Sequence, residues 1–243
     1  MRRTFLLFAA VCVVGSTQHS YGADLPVKAP VYKASPVSVY NWTGFYVGAD
    51  VGYGWGTSQS TATSANANFP VGFVFAPNDL TGAVAGGHAG YNYQMDHVVL
   101  GIEGDFDWTD MKGSAVDPSP LRAATTTTNS KLTWLADITG RAGYAWDNWL
   151  LYVKGGAAWT HVDGGSVTVG FPSTTSGSET RSGWLIGGGL EWGFAQHWSA
   201  KVEYNYMDFG TTGVTRVSNT GVVNTRDSSL TVNVVKVAAS YHF

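Results

Sequence analysis

Lys236-Val237-Ala238-Ala239-Ser240-Tyr241-His242-Phe243 closes the chain, and the reading of this stretch decides the fold. Successive side chains of a strand point to opposite faces. Val235, Val237, Ala239, Tyr241 and Phe243 therefore share one face, and Val234, Lys236, Ala238, Ser240 and His242 share the other. The first face stays apolar up to the terminal carboxylate, so no later segment is available to cover it. A buried sheet edge or a lipid phase could each accept such a face. The rest of the sequence chooses between them.

The other end points to export. Arg2 and Arg3 form a positive region, residues 5–14 an apolar core, and Ser20-Tyr21-Gly22 a small-x-small cleavage site before Ala23. This is the pattern of a secretory signal peptide over 1–22. Its apolar core is about half the ~20 residues that a helical membrane span requires. Cys12 is the one cysteine and lies inside this leader, so the exported part forms no disulfide. Val11 stands before Cys12 where a lipoprotein site needs a small residue. The chain carries 14 Lys and Arg against 17 Asp and Glu, and removing Arg2 and Arg3 makes the balance more acidic. That argues against nucleic acid as a partner, because phosphate binding rests on clustered cations. No run of 18 apolar residues occurs, which excludes helical spans. Thirty-one glycines, ten tryptophans, twelve tyrosines and only 13% charged residues suit short strands with an aromatic-rich surface.

Residues 23–41 carry Pro26, Pro30 and Pro36 without sustained periodicity and read as an extended periplasmic segment. From residue 42 to 243 the chain alternates with period two, in segments long enough for tilted membrane strands of about 9–11 residues. The segments are 44–54, 83–95, 98–110, 131–144, 149–160, 183–194, 199–209 and 230–243. In 44–54, for example, Phe45, Val47, Ala49, Val51 and Tyr53 oppose Gly48, Asp50 and Gly52. In 98–110, Val98, Leu100, Ile102, Phe106 and Trp108 oppose Glu103, Asp105 and Asp107.

Short turns are expected at Asp96-His97, 145–148 and 195–198, and long connections at 56–82, 111–130, 161–182 and 210–229. The latter are rich in Ser, Thr, Asn and Gly and read as solvated loops. Alternation of short and long connections is the layout of an all-β, eight-stranded antiparallel transmembrane β-barrel with short periplasmic turns and long extracellular loops. It places Trp42, Phe45, Tyr93, Tyr144, Trp149, Phe194, Tyr241 and Phe243 near one interface. Tyr53, Trp55, Trp108, Trp134, Trp159, Trp184 and Tyr206 fall near the other, as two aromatic girdles would. A soluble barrel with its apolar face inward would show the same alternation. The export signal and the paired girdles favour the lipid-facing version.

Under this reading Asp50, His88, Glu103, Asp105, Asp107, Asp137, Arg141, Lys154, Glu191, Lys201, Glu203 and Lys236 face the lumen. An eight-stranded ring is just wide enough for its own side chains. Charges there must pair, so a structural network is expected with Arg141, Lys154, Lys201 and Lys236 as the cations. The surplus acids are expected to bind water or to lie near the mouth. Glu103-x-Asp105-x-Asp107 puts three carboxylates on one face, as a cation site would, but lacks the glycine turn of a calcium loop. The scattered histidines have no metal-ligand spacing, so no metal and no cofactor is expected. Gly52-x-Gly54-x-Gly56 has no βαβ context for a dinucleotide, and Gly187-Gly188-Gly189 lacks the Lys-Ser/Thr of a phosphate loop. No nucleophile–His–acid set gathers on outward positions, where Asp110 and Asp208 are polar exceptions. The chain reads as no enzyme.

Lys236, Tyr241 and Phe243 resemble the C-terminal assembly signal of bacterial outer-membrane barrels, with Ala238 where Gly is usual. Ala23-Asp24-Leu25-Pro26, Lys28-Ala29-Pro30 and Trp42-Thr43-Gly44-Phe45-Tyr46-Val47-Gly48 resemble the outer-membrane immunogenic, or porin-like, family of alpha-proteobacteria. So do Gly52-Tyr53-Gly54-Trp55-Gly56, Gly101-Ile102-Glu103-Gly104-Asp105 and the closing Tyr241-His242-Phe243. The resemblance implies a cell-outer-membrane barrel that supports envelope integrity without a large open channel. Its implied partners are outer-membrane lipid and lipopolysaccharide, the barrel-assembly machinery, and peptidoglycan. A narrow porin-like channel and a surface adhesin or haemin-binding protein remain alternatives, with His161 as the histidine to test for haemin.

Overall fold

The computed structural model describes residues 40–243 apart from 67, 122, 171, 172, 220 and 222. The signal peptide expected at 1–22 and the segment from 23 to 39 lie outside the described residues. Alternation becomes nine strands: β1 (Gly44–Ala62), β2 (Asn78–Met95), β3 (Val98–Thr109), β4 (Lys112–Pro118), β5 (Thr125–Trp146), β6 (Trp149–Val169), β7 (Ser173–Ala195), β8 (Trp198–Ser218) and β9 (Val223–His242). Every pairing is antiparallel, and β1 pairs with both β2 and β9, which closes the sheet on itself. β4 runs on from β3 along β5, from Lys112↔Lys131 to Pro118↔Thr125, and touches β2 at Thr81↔Lys112. The two together make one wall segment broken at Asp110-Met111, so the ring has eight staves. At membrane level closure pairs every described stave on both sides, which a strand inside a bilayer requires; above it the β7–β8 ladder is interrupted between Ser176 and Trp184.

Periplasmic turns are two residues long, at 96–97, 147–148 and 196–197. Asp96 and Asp147 open two of them with φ of 52° and 50°, a left-handed conformation that Asp tolerates and tight hairpins use. The outer connections differ from the solvated loops expected at 56–82, 111–130, 161–182 and 210–229. Most of 111–130, 161–182 and 210–229 is strand, 56–82 is strand at its two ends, and the unbroken staves run 18 to 23 residues. At ~3.3 Å per residue and ~40° tilt such a stave reaches ~50 Å, about twice the ~25 Å apolar band. The outer half therefore stands in water. There both faces of the wall are mainly polar, with a few exposed valines such as Val167 and Val169, so hydrophobic alternation weakens while the ladder continues. Thr, a good strand former, fills this region, and hydroxyls pair across the inner wall, as in Thr126–Thr168 (2.9 Å) and Ser166–Thr175 (2.7 Å).

Three irregularities lie where the wall leaves the apolar band: the break at Asp110-Met111, a bulge between Leu132 and Trp134, and another between Asp208 and Thr211. The bulges add a residue and swap which parity faces inward. On β5 Leu135 faces in below the bulge and Leu132 above it; on β8 Phe209 gives way to Val214. Gly210 (φ 59°) permits the second bulge, and Asp208 accepts its N–H at 2.8 Å. Asp208 thus braces the wall, and Asp110 lies 2.7 Å from the exposed Lys112 ammonium.

On the outside, Phe45, Tyr93, Tyr144, Trp149, Phe194 and Phe243 point away from the barrel at one end, and Tyr53, Trp55, Trp108 and Trp184 at the other, with Ile102 and Val153 exposed between them. Trp42 departs from the expected girdle. It is completely buried, packed against Tyr40 (ring centroids 4.5 Å) and edge-on to His242 (5.8 Å), inside the periplasmic mouth with Val99, Leu150 and Tyr152. Tyr40, near the end of the Pro-containing segment, is thus packed inside the mouth. The lumen still has room there because Gly193 lacks a side chain, and a Cβ at that position would collide with the Tyr40 ring.

Higher in the lumen, Leu80, Val84, Met111, Leu132, Leu135, Leu185, Met207, Phe209, Leu230 and Val232 form a dry apolar septum. Replacing Leu132, which has no accessible surface, by Ala is expected to lower unfolding free energy by about 2–4 kcal/mol through the cavity left behind. Guanidinium unfolding in detergent micelles measures this; a loss near zero would contradict a tightly packed septum.

Candidate functional site

Between the periplasmic stopper and the septum lies the charged part of the lumen. Its side chains come from every stave, because each contributes alternate residues to the inside. Asp50, His88, Glu103, Asp105, Asp107, Asp137, Arg141, Lys154, Glu191, Lys201, Glu203 and Lys236 are all buried there. Lys154 holds the centre. Its Nζ is 3.1 Å from Glu103 Oε1, 3.1 Å from Asp105 Oδ2 and 2.8 Å from Glu203 Oε1, with Asp137 at 4.0 Å. Lys236 lies above, 2.8 Å from Asp105 and 3.1 Å from Asp107, with Asp50 at 3.7 Å. Lys201 reaches Glu103 at 2.8 Å. Towards the periplasm Arg141 bridges Glu191 (2.7 Å) and Glu103 (3.2 Å), its guanidinium 4.1 Å from the centroid of the Tyr152 ring.

The surplus acids do not lie in water or at the mouth. All seven are buried inside the lumen. Asp107 Oδ1 and Asp137 Oδ1 accept no hydrogen bond.

Tyr46, Tyr152, Ser199, Asn205 and Ser240 complete the network and were not singled out from sequence. Tyr46 donates to Glu103 Oε2 at 2.9 Å, Tyr152 to Glu203 Oε2 at 2.6 Å, Ser199 to Glu191 at 2.6 Å and Asn205 to Glu203 at 2.7 Å. Position parity was the available signal: Tyr46 and Tyr152 stand in step with Asp50 and Lys154. Their aromatic character suggests lipid, and only the ring geometry places the phenols against carboxylates.

Two arrangements invite a chemical reading. His88 Nδ1 lies 3.2 Å from Asp50 and its Nε2 2.8 Å from Ser240 Oγ, the connectivity of a catalytic triad. The Asp50 and His88 side chains have no accessible surface and Ser240 is buried, so no substrate carbonyl can reach the hydroxyl. Glu103, Asp105 and Glu203 bring carboxylate oxygens within 4.8 Å of one another, as metal ligands would. The Lys154 ammonium already stands among them and supplies the positive charge. His161, beyond the middle of β6, has Nδ1 3.0 Å from Thr180 Oγ1 and Nε2 3.6 Å from Asp163.

A family model described as the outer membrane protein beta-barrel domain matches residues 28–243. The 31 kDa outer-membrane immunogenic protein of Brucella melitensis is 30% identical, the match covering 98% of this chain and 99% of that protein. The 22 kDa outer membrane protein of Rhizobium leguminosarum is 27% identical over 75% of this chain and 69% of its own length. Among solved structures, the outer membrane protease OmpT of Escherichia coli superposes with a TM-score of 0.56 over 84% of this chain and 98% of its own, at 7% identity. At that identity the likeness is one of fold.

Lys154→Met leaves three carboxylates facing one another and is expected to cost about 3–5 kcal/mol of stability. Lys112→Met, which removes a pair with Asp110 that water screens, should leave stability nearly unchanged. Unfolding in micelles compares them; equal losses would mean that the lumen charges are not mutually dependent.

Proposed function

Because the chain belongs to the outer membrane protein beta-barrel family and resides in the cell outer membrane, we propose that it is a structural envelope barrel that neither conducts solutes nor catalyses a reaction. One observation carries this reading. A path wide enough for water leaves accessible surface on the groups it passes, and the side chains of Lys154, Glu103, Asp105 and Glu203 have none. Tyr40 and Trp42 below and the apolar septum above add two further seals. An ion would have to cross three dry layers, at several kcal/mol of desolvation in each apolar one. Its structural work is to tie lipid, lipopolysaccharide and peptidoglycan into one envelope, after the assembly machinery has recognised the terminal strand through Lys236, Tyr241 and Phe243.

In planar bilayers the refolded protein is expected to give negligible steady conductance. The double variant Tyr40→Ala, Trp42→Ala should remain closed, because the septum seals independently. A steady ohmic current through the unaltered protein would overturn the proposal in favour of a narrow channel.

The terminal residue generates a second test. Phe243 is 71% exposed on the lipid side, edge-on to Tyr241 at 5.2 Å, and its N–H bonds Phe45 O at 3.0 Å across the closing seam. Deleting Phe243 should lower the membrane yield of heat-modifiable barrel much more than Glu191→Gln does. Equal yields would remove the terminal aromatic from any role in assembly.

A further inference from the structure

Above the septum, in the half of the barrel that stands in water, the inner wall encloses a small polar chamber into which three arginines converge. Arg181 comes from β7, Arg216 from β8 and Arg226 from β9, and the cavity between them measures about 30 Å³. Arg181 is compensated: its Nε donates to Glu179 at 2.8 Å and its Nη1 to Ser228 O at 3.0 Å. The other two are not. Among the described residues no carboxylate lies within ion-pair distance of Arg216 or Arg226.

Arg226 is nine-tenths buried, with its guanidinium 3.8 Å from the centroid of the Phe75 ring. Phe75 belongs with Phe69 and Phe73 to the cluster that caps the chamber. Arg216 Nη1 is buried and donates to nothing, and the guanidinium lies over Gly164, where a methyl group would overlap it. Burial and then the neighbouring Arg216 charge push Arg226 down to about 10, against a pull from Asp117. Burial pushes Arg216 down as well, with Glu179 opposing and Arg181 adding.

Three guanidiniums face two carboxylates in this chamber, Asp117 and Glu179, so one positive charge is left without a counterpart. A guanidinium does not shed its proton near neutrality, and an uncompensated buried charge is strongly destabilising. Thr128, whose hydroxyl lines the same chamber without a partner, offers a further donor. We propose that the outer chamber is a binding site for a small inorganic anion of halide size, held between Arg216 and Arg226 with the Thr128 hydroxyl. A cavity of this volume accepts one or two water-sized particles and is too small for a sugar, a nucleotide or a peptide. Through the Arg226–Phe75 contact the bound anion would also hold the aromatic cap in place.

Chloride-35 line broadening on the detergent-folded barrel, with sodium gluconate keeping ionic strength constant, tests the site with chloride itself as probe. A saturable broadening is expected. It should weaken about tenfold or more in Arg226→Gln. It should weaken also in Gly164→Ala, which displaces the Arg216 guanidinium without removing its charge. The heat-modifiable band reports whether each variant is folded. If Arg226→Gln does not fold, an anomalous bromide peak in the chamber of crystals of the unaltered protein decides the question. Equal broadening in the folded variants, no broadening in the unaltered protein, or no bromide peak would overturn the proposal. Displacement of chloride by phosphate at lower concentration would overturn the assignment to a halide-sized ion.

Discussion

The grip of Glu103, Asp105 and Glu203 on the Lys154 ammonium is the contact on which the rest of the barrel depends. An ammonium at the centre of an eight-stranded ring has no water to turn to, so carboxylates must meet it from other staves. Lys154 stands on β6, its acidic partners on β3 and β8, across the lumen and not beside it. A slip of one residue on any of these strands would turn its charges into lipid and its apolar face into the lumen. The central ion cluster thus sets the register of staves that are not hydrogen-bonded to one another. The desolvation of so many charges is a real cost, and it is offset only because nearly every charge is met at 2.7–3.2 Å.

The interior is layered, and β9 shows the layering on a single strand. Its inner face reads His242, Ser240 and Lys236 near the periplasm, then Val234, Val232 and Leu230 through the septum, then Ser228 and Arg226 in the outer chamber. A polar layer, an apolar layer and a second polar layer follow one another within one period-two register. The apolar layer separates two compartments of opposite balance, an acid-rich one within the bilayer and an arginine-rich one above it. The acid-rich compartment meets its lysines and Arg141 from within, and the apolar layer keeps water in the outer chamber from the network below.

The sequence made the membrane-level wall legible because there the two faces see opposite media. Apolar residues at Val47, Ile102, Val153 and Val237 face outward, and the acids and lysines of the same strands face inward. Where both media are aqueous, in the outer half, the same period-two structure left only short traces such as Val167 and Val169, and strands such as the outer part of β6 read as loops. Trp42 was misplaced for a related reason. An aromatic at the edge of a barrel fits an interfacial girdle by composition alone, and only the chain's turn into the mouth puts it inside. The two bulges were equally hidden, since one extra residue shifts the parity of everything beyond it without altering composition.

By itself, then, the sequence determined the class of fold, the membrane address, the sense of each wall segment and the set of charged residues that must face inward. Those follow from alternation and from the cost of charge in lipid, which are local properties. Only the tertiary structure decided who meets whom: which carboxylates clasp Lys154, that Tyr46 and Tyr152 join them, and that Arg216 and Arg226 share a chamber without a counter-charge. These pairings run across the lumen between residues far apart in the chain. They depend on ring closure, tilt and two bulges, and no periodicity along one strand carries that information.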